Sequence, residues 1–591
     1  MPARDDTPRV NYTVTAHPAE HVLDVVVDVD ARGMPDPLRV RVPTWVPGAY
    51  AFLRYARNLS AMEARDAVTG AVLPLERDGL TAWKVGGGVH RVELRYRVHL
   101  YEPAWSELHG YLEQTQAVLL GTSWLQVPEW DGPVSVTYRF PPEWPLHHPY
   151  GAVDRGGARF EYADFHAMMD TPVAAGAFDR FTRDCAGTPF HFVFLNRCVG
   201  FDEERERFLD AAMKVAERCR DLFGGFPFAD YTFFCSFAPQ HHWGLEHRSS
   251  TMVAFGELAF VDEAERRRAL RLVAHELYHA WNVCALKPRE LLRPDLEHGS
   301  FTDLLWVAEG ITRYAEYLLL VGTGEMAPAD FLSNVVNFHR HLSWTPAYRV
   351  ATARDSSLAT FLNHHRYPGS PNNSVDYYDV GMLIAFDMDA VLVGADRSLL
   401  REFGEFYRQH LPRGFTHADV VEFFAARVPA LRELIEMDTA RAGVLRTEEM
   451  LGALGFRLTH EEVACLGVTL ADEKGPAILN VFDGTAAARA GLAPGDQLQR
   501  IDGFPWSLKA FQWVVARRRP CTLTVQRGHT WHTFHVQPTL RRQVASLSWD
   551  GTDAQLERVR RWLGRPEFAP ARGAAIPLTV YDTFHGVHTL Y

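Results

Sequence analysis

The side chains best suited to chemistry lie in one short pattern, His275-Glu276-Leu277-Tyr278-His279, within a segment that has the apolar periodicity of a helix. Residues four apart lie one turn apart on the same face of a helix, so both imidazoles can reach one metal ion. The pattern is typical of a Zn²⁺ site, with Zn–N distances of about 2.0–2.1 Å. Glu276 lies about 100° around the helix from His275. That position suits a general base that handles a water molecule rather than the metal.

A hydrolytic zinc site needs a third protein ligand. The best candidate is Glu309, in a second helical pattern with apolar neighbours, Leu305-Trp-Val-Ala-Glu-Gly-Ile. A buried carboxylate needs a partner, and a metal would provide one. Three rivals lie in a stretch that Pro and Gly residues mark as a loop: Glu290, Glu297 and His298. We therefore expect one Zn²⁺ per chain, held by His275, His279 and Glu309.

These residues resemble the glycyl aminopeptidase family of metallopeptidases, peptidase family M61. The resemblance rests on His275-Glu-Leu-Tyr-His-Ala-Trp-Asn-Val, Lys287-Pro and Leu305-Trp-Val-Ala-Glu-Gly-Ile-Thr-Arg-Tyr. The family is similar to the gluzincin aminopeptidases, so the resemblance implies a thermolysin-like catalytic core and a zinc-dependent aminopeptidase. It also implies that the substrates are peptides with a free N-terminus, from which small residues, Gly or Ala, are released. One departure is Cys284, where we expect a basic residue.

The resemblance also implies a substrate-binding segment, Gly244-Leu-Glu246-His247. Glu246 would bind the free α-ammonium group of the substrate by a charge-assisted hydrogen bond. The backbone near Gly244 would align the peptide on an edge strand. The adjacent His241 and His242 are alternatives as extra metal ligands, but neighbouring side chains point in different directions, which favours a surface position.

A third segment, Ser374-Val-Asp-Tyr377-Tyr378-Asp-Val-Gly381, matches a Tyr-x-x-Gly pattern of the same family. Attack on a peptide carbonyl produces an oxyanion, and a phenol beside the metal would stabilise it. The resemblance assigns that role to Tyr378. Tyr377 stays open as the alternative, and we expect it to contact the substrate.

Near the C-terminus, Ala490-Gly491-Leu-Ala-Pro-Gly495-Asp496 resembles a PDZ domain of the bacterial protease type. The resemblance implies a PDZ domain over residues 455–540, whose glycines form tight turns. A PDZ domain binds an extended peptide as an added strand. The alternative is a packing module without a peptide ligand.

The elements that must position these residues follow from the hydrophobic pattern. Residues 1–180 alternate as half-buried strands do, which predicts an N-terminal β-sandwich-like domain. Its Thr44-Trp-Val-Pro-Gly-Ala-Tyr50 segment also resembles the family and is expected to support or line the cleft. Residues 181–450 form the thermolysin-like zinc peptidase domain, with strands before a helical second half. Its predicted helices are Glu203–Phe223, Glu263–Cys284 and Phe301–Leu320. Residues 541–591 form a C-terminal extension, and the fold class is multidomain α+β.

Composition narrows the function further. The chain has 591 residues and a formal net charge of −12, which argues against nucleic acid as a partner. Its seven cysteines are scattered without a CxxC pair, so a reduced compartment is expected rather than a disulfide framework. No secretory signal and no membrane-spanning apolar run are visible. The sequence therefore predicts a cytoplasmic protein without a membrane partner.

Two other functions fit parts of the pattern. A zinc endopeptidase would use the same metal chemistry without binding a free amine at Glu246. A non-catalytic PDZ scaffold would recruit partners, although the complete set of His275, Glu276, His279 and Glu309 argues against a decayed enzyme.

Overall fold

The computed structural model of the protein describes residues 7–102, 109–121, 124–149, 153–154, 157–195, 201–237, 243–362, 369–471, 475–582 and 590–591. The chain divides into two compact units, Met1–Ser300 and Phe301–Tyr591, which are described in turn. His241 and His242 lie outside the described residues. None of the described helices is long and apolar enough to cross a lipid bilayer.

A seven-stranded sheet dominates the first unit. In Val10–His17 and Arg91–His99 the buried side chains alternate with more exposed ones, because one face of each strand packs on the core. In spatial order the strands are Val153–Asp154, Arg159–Tyr162, Val134–Arg139, Val10–His17, Val22–Asp30, Arg91–His99 and Leu59–Asp66.

Two smaller sheets pack on the same apolar core. One contains Leu38–Arg41, Ala82–Val85 and Leu75–Arg77. The other contains Leu146–His147, Val173–Gly176, Gln116–Leu119 and Tyr111–Leu112. Short helical turns of this region are Pro18–Glu20, Tyr55–Asn58 and Phe165–Met169. The predicted β-rich character of the N-terminal region is confirmed.

A five-stranded sheet follows in the same unit. In spatial order its strands are Asp179–Cys185, Thr188–Phe194, Tyr231–Phe237, Ser250–Phe255 and Trp243–Glu246. Tyr231–Phe237 lies between two parallel neighbours and is almost entirely buried, as expected for an interior parallel strand. Trp243–Glu246, which contains Gly244 and Glu246 of the predicted substrate-binding segment, lies at the edge of the described sheet.

Two long helices complete the first unit, with a short turn at Arg289–Leu291. The first, Asp202–Phe223, begins one residue before the predicted start. The second, Glu263–Tyr278, ends well before the predicted Cys284. After Tyr278 the chain continues in turns, in which the Asn282 carbonyl oxygen accepts a hydrogen bond from the His279 imidazole.

The second unit begins with helices. A π-helical turn, Trp306–Ile311, precedes Thr312–Thr323, so the predicted helix from Phe301 starts later than expected. The other helices and helical turns are Pro328–Trp344, Pro346–Arg349, Ala353–Ala359, Thr360–Leu362, Ser370–Asn373, Tyr377–Gly394, Leu399–His410, His417–Ala425, Ala430–Ala440 and Thr447–Ala453.

Two glycines let the π-helical turn approach the helix Tyr377–Gly394. A Cβ atom on Gly310 would lie 2.4 Å from the backbone of Gly381, and one on Gly381 would lie 2.7 Å from the Trp306 carbonyl oxygen. Distances this short do not occur between real atoms, so any larger residue would push the two helices apart.

The end of the second unit is β-rich. Residues 466–536 share one apolar core and are called here the C-terminal β module. Its strands are Val468–Leu470, Ile478–Val481, Gln497–Ile501, Phe504–Pro505, Cys521–Arg527 and Thr530–Val536, and its helices are Ala486–Ala490 and Leu508–Ala516. The flanking strands Phe456–Cys465 and Thr539–Trp549 pair with each other, and the short strand Ala575–Ile576 pairs with the second. The last helix is Asp553–Leu563.

Candidate metal centre

The helix Glu263–Tyr278 contains the first predicted ligand, His275, and the second, His279, is the residue that caps its C-terminal end. Its start is fixed by Asp262, whose side chain accepts a hydrogen bond from the backbone N–H of Glu265. Its second half is buried, so the end of the helix lies in the protein interior. His275 is 3 % exposed and His279 is 1 % exposed, which shields both imidazoles from bulk water.

The two imidazoles face each other at a distance suited to a shared ion. His275 Nε2 and His279 Nε2 are 3.0 Å apart. His279 Nδ1 lies 2.6 Å from the Asn282 carbonyl oxygen, which can only accept, so this nitrogen carries the proton. Nε2 of His279 is therefore the nitrogen with a lone pair for a metal.

Glu309 lies in the π-helical turn Trp306–Ile311 and is 1 % exposed. One carboxylate oxygen of Glu309 and one nitrogen from each of His275 and His279 all lie within 4.8 Å of one another. The structure therefore brings the three predicted ligands together. Single π-helical turns occur often at functional sites, where the wider turn reorients a side chain.

The rival ligands are engaged elsewhere. Glu297 accepts hydrogen bonds from Arg39 and Arg41, at 2.6 and 2.8 Å. His298 pairs with Asp295 at 3.0 Å and is largely exposed. Neither belongs to the group of potential ligands that the described residues form.

The donor set fits zinc. Two neutral imidazoles and one carboxylate are the ligands of many catalytic Zn²⁺ sites, which leave a fourth position open for water or substrate. All three side chains are buried on helical segments, so their positions do not depend on mobile loops. The carbonyl that holds His279 is the kind of outer partner that orients a metal-binding histidine.

Glu276 is held against the edge strand. It is 4 % exposed, and a Cβ atom on Gly244 would lie 2.3 Å from its Oε1 atom. Gly244 therefore allows the carboxylate to approach the backbone of the strand on which a substrate would align. The sequence pattern does not reveal this contact, because the two residues lie far apart in the chain.

Glu246 lies at the end of the edge strand, and a loop of the N-terminal region packs closely on it. Gly48 has a φ of +83°, and a Cβ atom there would lie 2.7 Å from Glu246 Oε1. Both residues line a cavity of about 550 Å³, together with Trp45, Tyr50 and Cys284. Four residues of the segment, Trp45, Pro47, Gly48 and Tyr50, thus line this cavity, and its role as the active-site cleft stays a prediction.

A half-buried carboxylate that the sequence analysis missed, that of Asp170, fixes the loop after Glu246. Asp170 accepts hydrogen bonds from His247 at 3.1 Å and from the backbone N–H of Arg248 at 3.0 Å. Burial alone would raise the pKa of Asp170. The hydrogen bond and charge of His247, the backbone N–H of Arg248 and the charge of Lys287 together lower it. No local pattern around Asp170 marks it, because its role depends entirely on contacts with residues far along the chain.

Cys284 lies at the position where the sequence analysis expects a basic residue. Burial raises the pKa of its thiol well above the usual value, and the charges of Glu246 and Asp170 raise it further. Lys287 and Arg248 act in the opposite direction. The side chain is therefore a neutral thiol beside the carboxylates of this cavity.

The two tyrosines open the helix Tyr377–Gly394. Asp376 caps it by accepting a hydrogen bond from the Tyr378 N–H at 2.8 Å. Burial raises the pKa of Tyr377 well above its usual value, and the charge of Glu309 adds to this, whereas a hydrogen bond from Tyr378 lowers it. Tyr377 thus lies near the third predicted ligand, and the ring of Tyr378 lies 5.8 Å from the Arg313 guanidinium carbon.

Two family models match the chain. Residues 268–384 match the M61 glycyl aminopeptidase model, and residues 11–177 match the peptidase M61 N-terminal domain. The protein is a peptide hydrolase, and two of its regions match peptidase M61 models. The first match contains the three predicted ligands and both tyrosines, while the second contains the loop that packs on Glu246.

A solved structure shows the same fold. An aminopeptidase N family protein from Idiomarina loihiensis is 21 % identical, covers 94 % of this chain and 100 % of its own, and superposes with a TM-score of 0.85. An M1 zinc metallopeptidase from Deinococcus radiodurans, a mutant bound to a Tyr-Ser-Ala substrate, is 15 % identical over 74 % of this chain and 95 % of its own, with a TM-score of 0.45. A search of curated proteins finds no match.

Proposed function

We propose that the protein is a zinc-dependent aminopeptidase that releases small N-terminal residues, Gly or Ala, from peptides. The observation that carries the proposal is the convergence of His275, His279 and Glu309, with Glu276 on the same helix as the two histidines. The bound Zn²⁺ would polarise the scissile carbonyl and lower the pKa of water.

Glu276 acts as the general base. Its carboxylate takes a proton from the attacking water and passes it to the leaving amine as the peptide bond breaks. The buried position beside Gly244 supports this role, because it holds the carboxylate next to the backbone edge where the substrate would lie.

Glu246 binds the substrate ammonium group. Its carboxylate lines the cavity and is held by the loop at Gly48, which supports a fixed position for a charge-assisted hydrogen bond. A substrate peptide whose ammonium group binds Glu246 has one residue on the N-terminal side of the scissile bond. The enzyme is therefore an exopeptidase. The preference for Gly and Ala is inferred from the family match.

Tyr378 donates a hydrogen bond to the oxyanion, and Tyr377 positions it. The rings of the two tyrosines lie 4.7 Å apart and the charge of Glu309 acts on Tyr377, which supports this arrangement. Replacing each tyrosine separately by Phe tests these roles. We expect Tyr378→Phe to lower kcat by about 10²–10³ and Tyr377→Phe to lower kcat less. A larger loss in Tyr377→Phe would transfer the role to that residue.

We further infer that the C-terminal β module is a PDZ domain. Its strand and helix content and its glycine-rich turns at Gly467, Gly491 and Gly495, all with positive φ, support this assignment.

The function is tested by hydrolysis of Gly-Ala-Ala and of its N-acetylated form. We expect the wild-type protein to cleave only the free peptide and Glu276→Gln to cleave neither. Glu246→Gln should raise the KM for Gly-Ala-Ala, whereas the matched control Glu257→Gln, an exposed glutamate nearby, should not. Equal cleavage of both peptides by the wild-type protein would contradict the aminopeptidase and favour an endopeptidase.

A further inference from the structure

A buried guanidinium lies about one helical turn beyond Glu309. The helix Thr312–Thr323 continues directly from the π-helical turn that carries Glu309, and Arg313 follows that glutamate by four positions. The Arg313 side chain is 0 % exposed. A cation in such a place is stable only when it is paired, because burial removes its hydration.

Asp379 supplies the pairing charge. Arg313 Nη1 lies 2.8 Å from Asp379 Oδ1, and this carboxylate side chain is only 11 % exposed. Burial lowers the pKa of Arg313, but nearby charges, that of Asp379 first among them, raise it further, so the guanidinium stays charged. Asp379 directly follows Tyr378 in the first turn of the helix Tyr377–Gly394. The ion pair therefore joins the helical segment of the third predicted ligand to the residue next to Tyr378.

The guanidinium also lies near two aromatic rings. Its central carbon is 4.6 Å from the ring centre of Phe338, on the helix Pro328–Trp344, and 5.8 Å from that of Tyr378. Both distances lie within the range of about 6 Å over which a cation and a ring attract each other. A planar guanidinium can pair with a carboxylate through its N–H groups and still contact ring faces, whereas the compact ammonium group of lysine has no such plane. This combination of contacts suits arginine.

The phenol of Tyr378 depends on such contacts, because its backbone alone does not fix it. The side chain is half-buried at the start of the helix, where Asp376 accepts a hydrogen bond from the Tyr378 N–H. This cap fixes the backbone, but rotation about the side-chain bonds still changes the position of the hydroxyl group. Displacing a catalytic group by about 1 Å can lower the rate by about 10²-fold. Contacts that hold the ring therefore affect the reaction.

We propose that Arg313 is a positioning residue for the peptidase reaction. Its ring contact with Tyr378 and its ion pair with Asp379 hold the phenol in the orientation that donates to the oxyanion. The Arg313 side chain is buried, so it acts through Tyr378 and not on the substrate. The inference rests on the proposed function, in which Tyr378 is the oxyanion donor.

A double-mutant cycle tests the inference, with kcat and KM for Gly-Ala-Ala measured on the zinc-loaded protein. Its members are the wild-type chain, Arg313→Lys, Tyr378→Phe and the double variant. Lysine keeps the positive charge opposite Asp379 but has no planar group to lie against the ring. The matched control is Arg432→Lys, at an exposed arginine that pairs with Glu422 in the same unit.

We expect Arg313→Lys to lower kcat about ten-fold, with little change in KM and with one zinc per chain, because a misplaced phenol stabilises the transition state less well. In the Tyr378→Phe chain, the same substitution should change kcat by less than about two-fold, since the hydroxyl through which Arg313 acts is absent. Arg432→Lys should leave both kinetic constants unchanged.

Equal losses of kcat from Arg313→Lys in the two backgrounds would overturn the inference alone, because a purely structural role does not depend on the Tyr378 hydroxyl. Unchanged kcat in Arg313→Lys would overturn it as well. If the wild-type protein does not cleave Gly-Ala-Ala, or if Tyr378→Phe keeps full kcat, the proposed function fails and the inference fails with it.

A second variant covers the case in which thermal unfolding shows that Arg313→Lys does not fold. Phe338→Leu removes the other ring beside the guanidinium and leaves the ion pair with Asp379 in place. It replaces Arg313→Lys in the same cycle, where we expect a loss of kcat that is absent in the Tyr378→Phe chain. A loss of the same size in both backgrounds would again overturn the inference.

Discussion

At the residue scale, metal binding and proton transfer are assigned to different side chains. His275 and His279 lie within reach of Glu309, whereas Glu276 packs against Gly244. Since general acid–base groups contribute about 10²–10⁴ in rate, we expect Glu276→Gln to lower kcat by about 10³ while the zinc content stays at one ion per chain. Steady-state kinetics and metal analysis of the same sample check both parts, and loss of zinc together with activity would contradict the separation.

Gly244 offers a second test at this scale. We expect Gly244→Ala to lower kcat strongly, because the added methyl group would collide with the Glu276 carboxylate and displace it. The control is Gly452→Ala, at a helical glycine whose Cβ position is open. Kinetics of the two variants should differ by at least ten-fold, and unchanged activity in Gly244→Ala would show that the contact is not needed.

At the element scale, the packing of two helical segments is expected to define the position of Glu309. The π-helical turn and the helix Tyr377–Gly394 touch through Gly310 and Gly381. We expect Gly381→Ala to lower the free energy of unfolding by about 1–3 kcal/mol and to weaken zinc binding. Gly394→Ala, at the open end of the same helix, should do neither. Thermal unfolding and zinc titration measure the two effects; equal behaviour of both variants would refute the packing argument.

A buried carboxylate in the same helical region predicts a pH dependence of stability. Burial raises the pKa of Asp438 to about 7, with Arg446 opposing and Glu449 reinforcing the shift. The folded state therefore binds more protons than the unfolded state between the unfolded pKa, near 4, and pH 7. Stability falls as pH rises through this window, and the loss is complete above it.

We accordingly expect Asp438→Asn to stabilise the protein at pH 8, by on the order of 1–4 kcal/mol, and to have less effect at pH 4. The control is Glu436→Gln, an exposed residue on the same helix, Ala430–Ala440. Urea unfolding at the two pH values measures the difference. A stabilisation that does not depend on pH would show that ionisation of Asp438 is not its cause.

At the scale of the whole molecule, local sequence patterns predict individual strands and helices. The spacing of one motif also predicts that two histidines share a helix face. Alternation in Val22–Asp30 and helical periodicity in Asp202–Phe223 follow from which side chains must be buried, so both elements were predicted. His275 and His279 share a helix face by spacing alone. Glu309 was predicted from its apolar neighbours, and the structure brings it to the histidines.

What the sequence could not show depends on long-range contacts. The approach of Gly48 to Glu246 and the hydrogen bonds of Asp170 join residues that lie far apart in the chain. The helix ends at Tyr278, earlier than its periodicity predicts, and the turns that follow place the Asn282 carbonyl oxygen beside the His279 imidazole. No periodicity contains such information, because each contact exists only after the sheets and helices have packed.

We propose that His275, His279 and Glu309 hold one zinc ion. Metal analysis of the dialysed protein tests this. The variants are Glu309→Gln and His298→Ala, the second at the exposed rival ligand. We expect one zinc per chain in the wild-type protein and in His298→Ala, and at least ten-fold weaker zinc binding in Glu309→Gln. Zinc loss in His298→Ala with retention in Glu309→Gln, or a wild-type protein that binds no zinc, would contradict it.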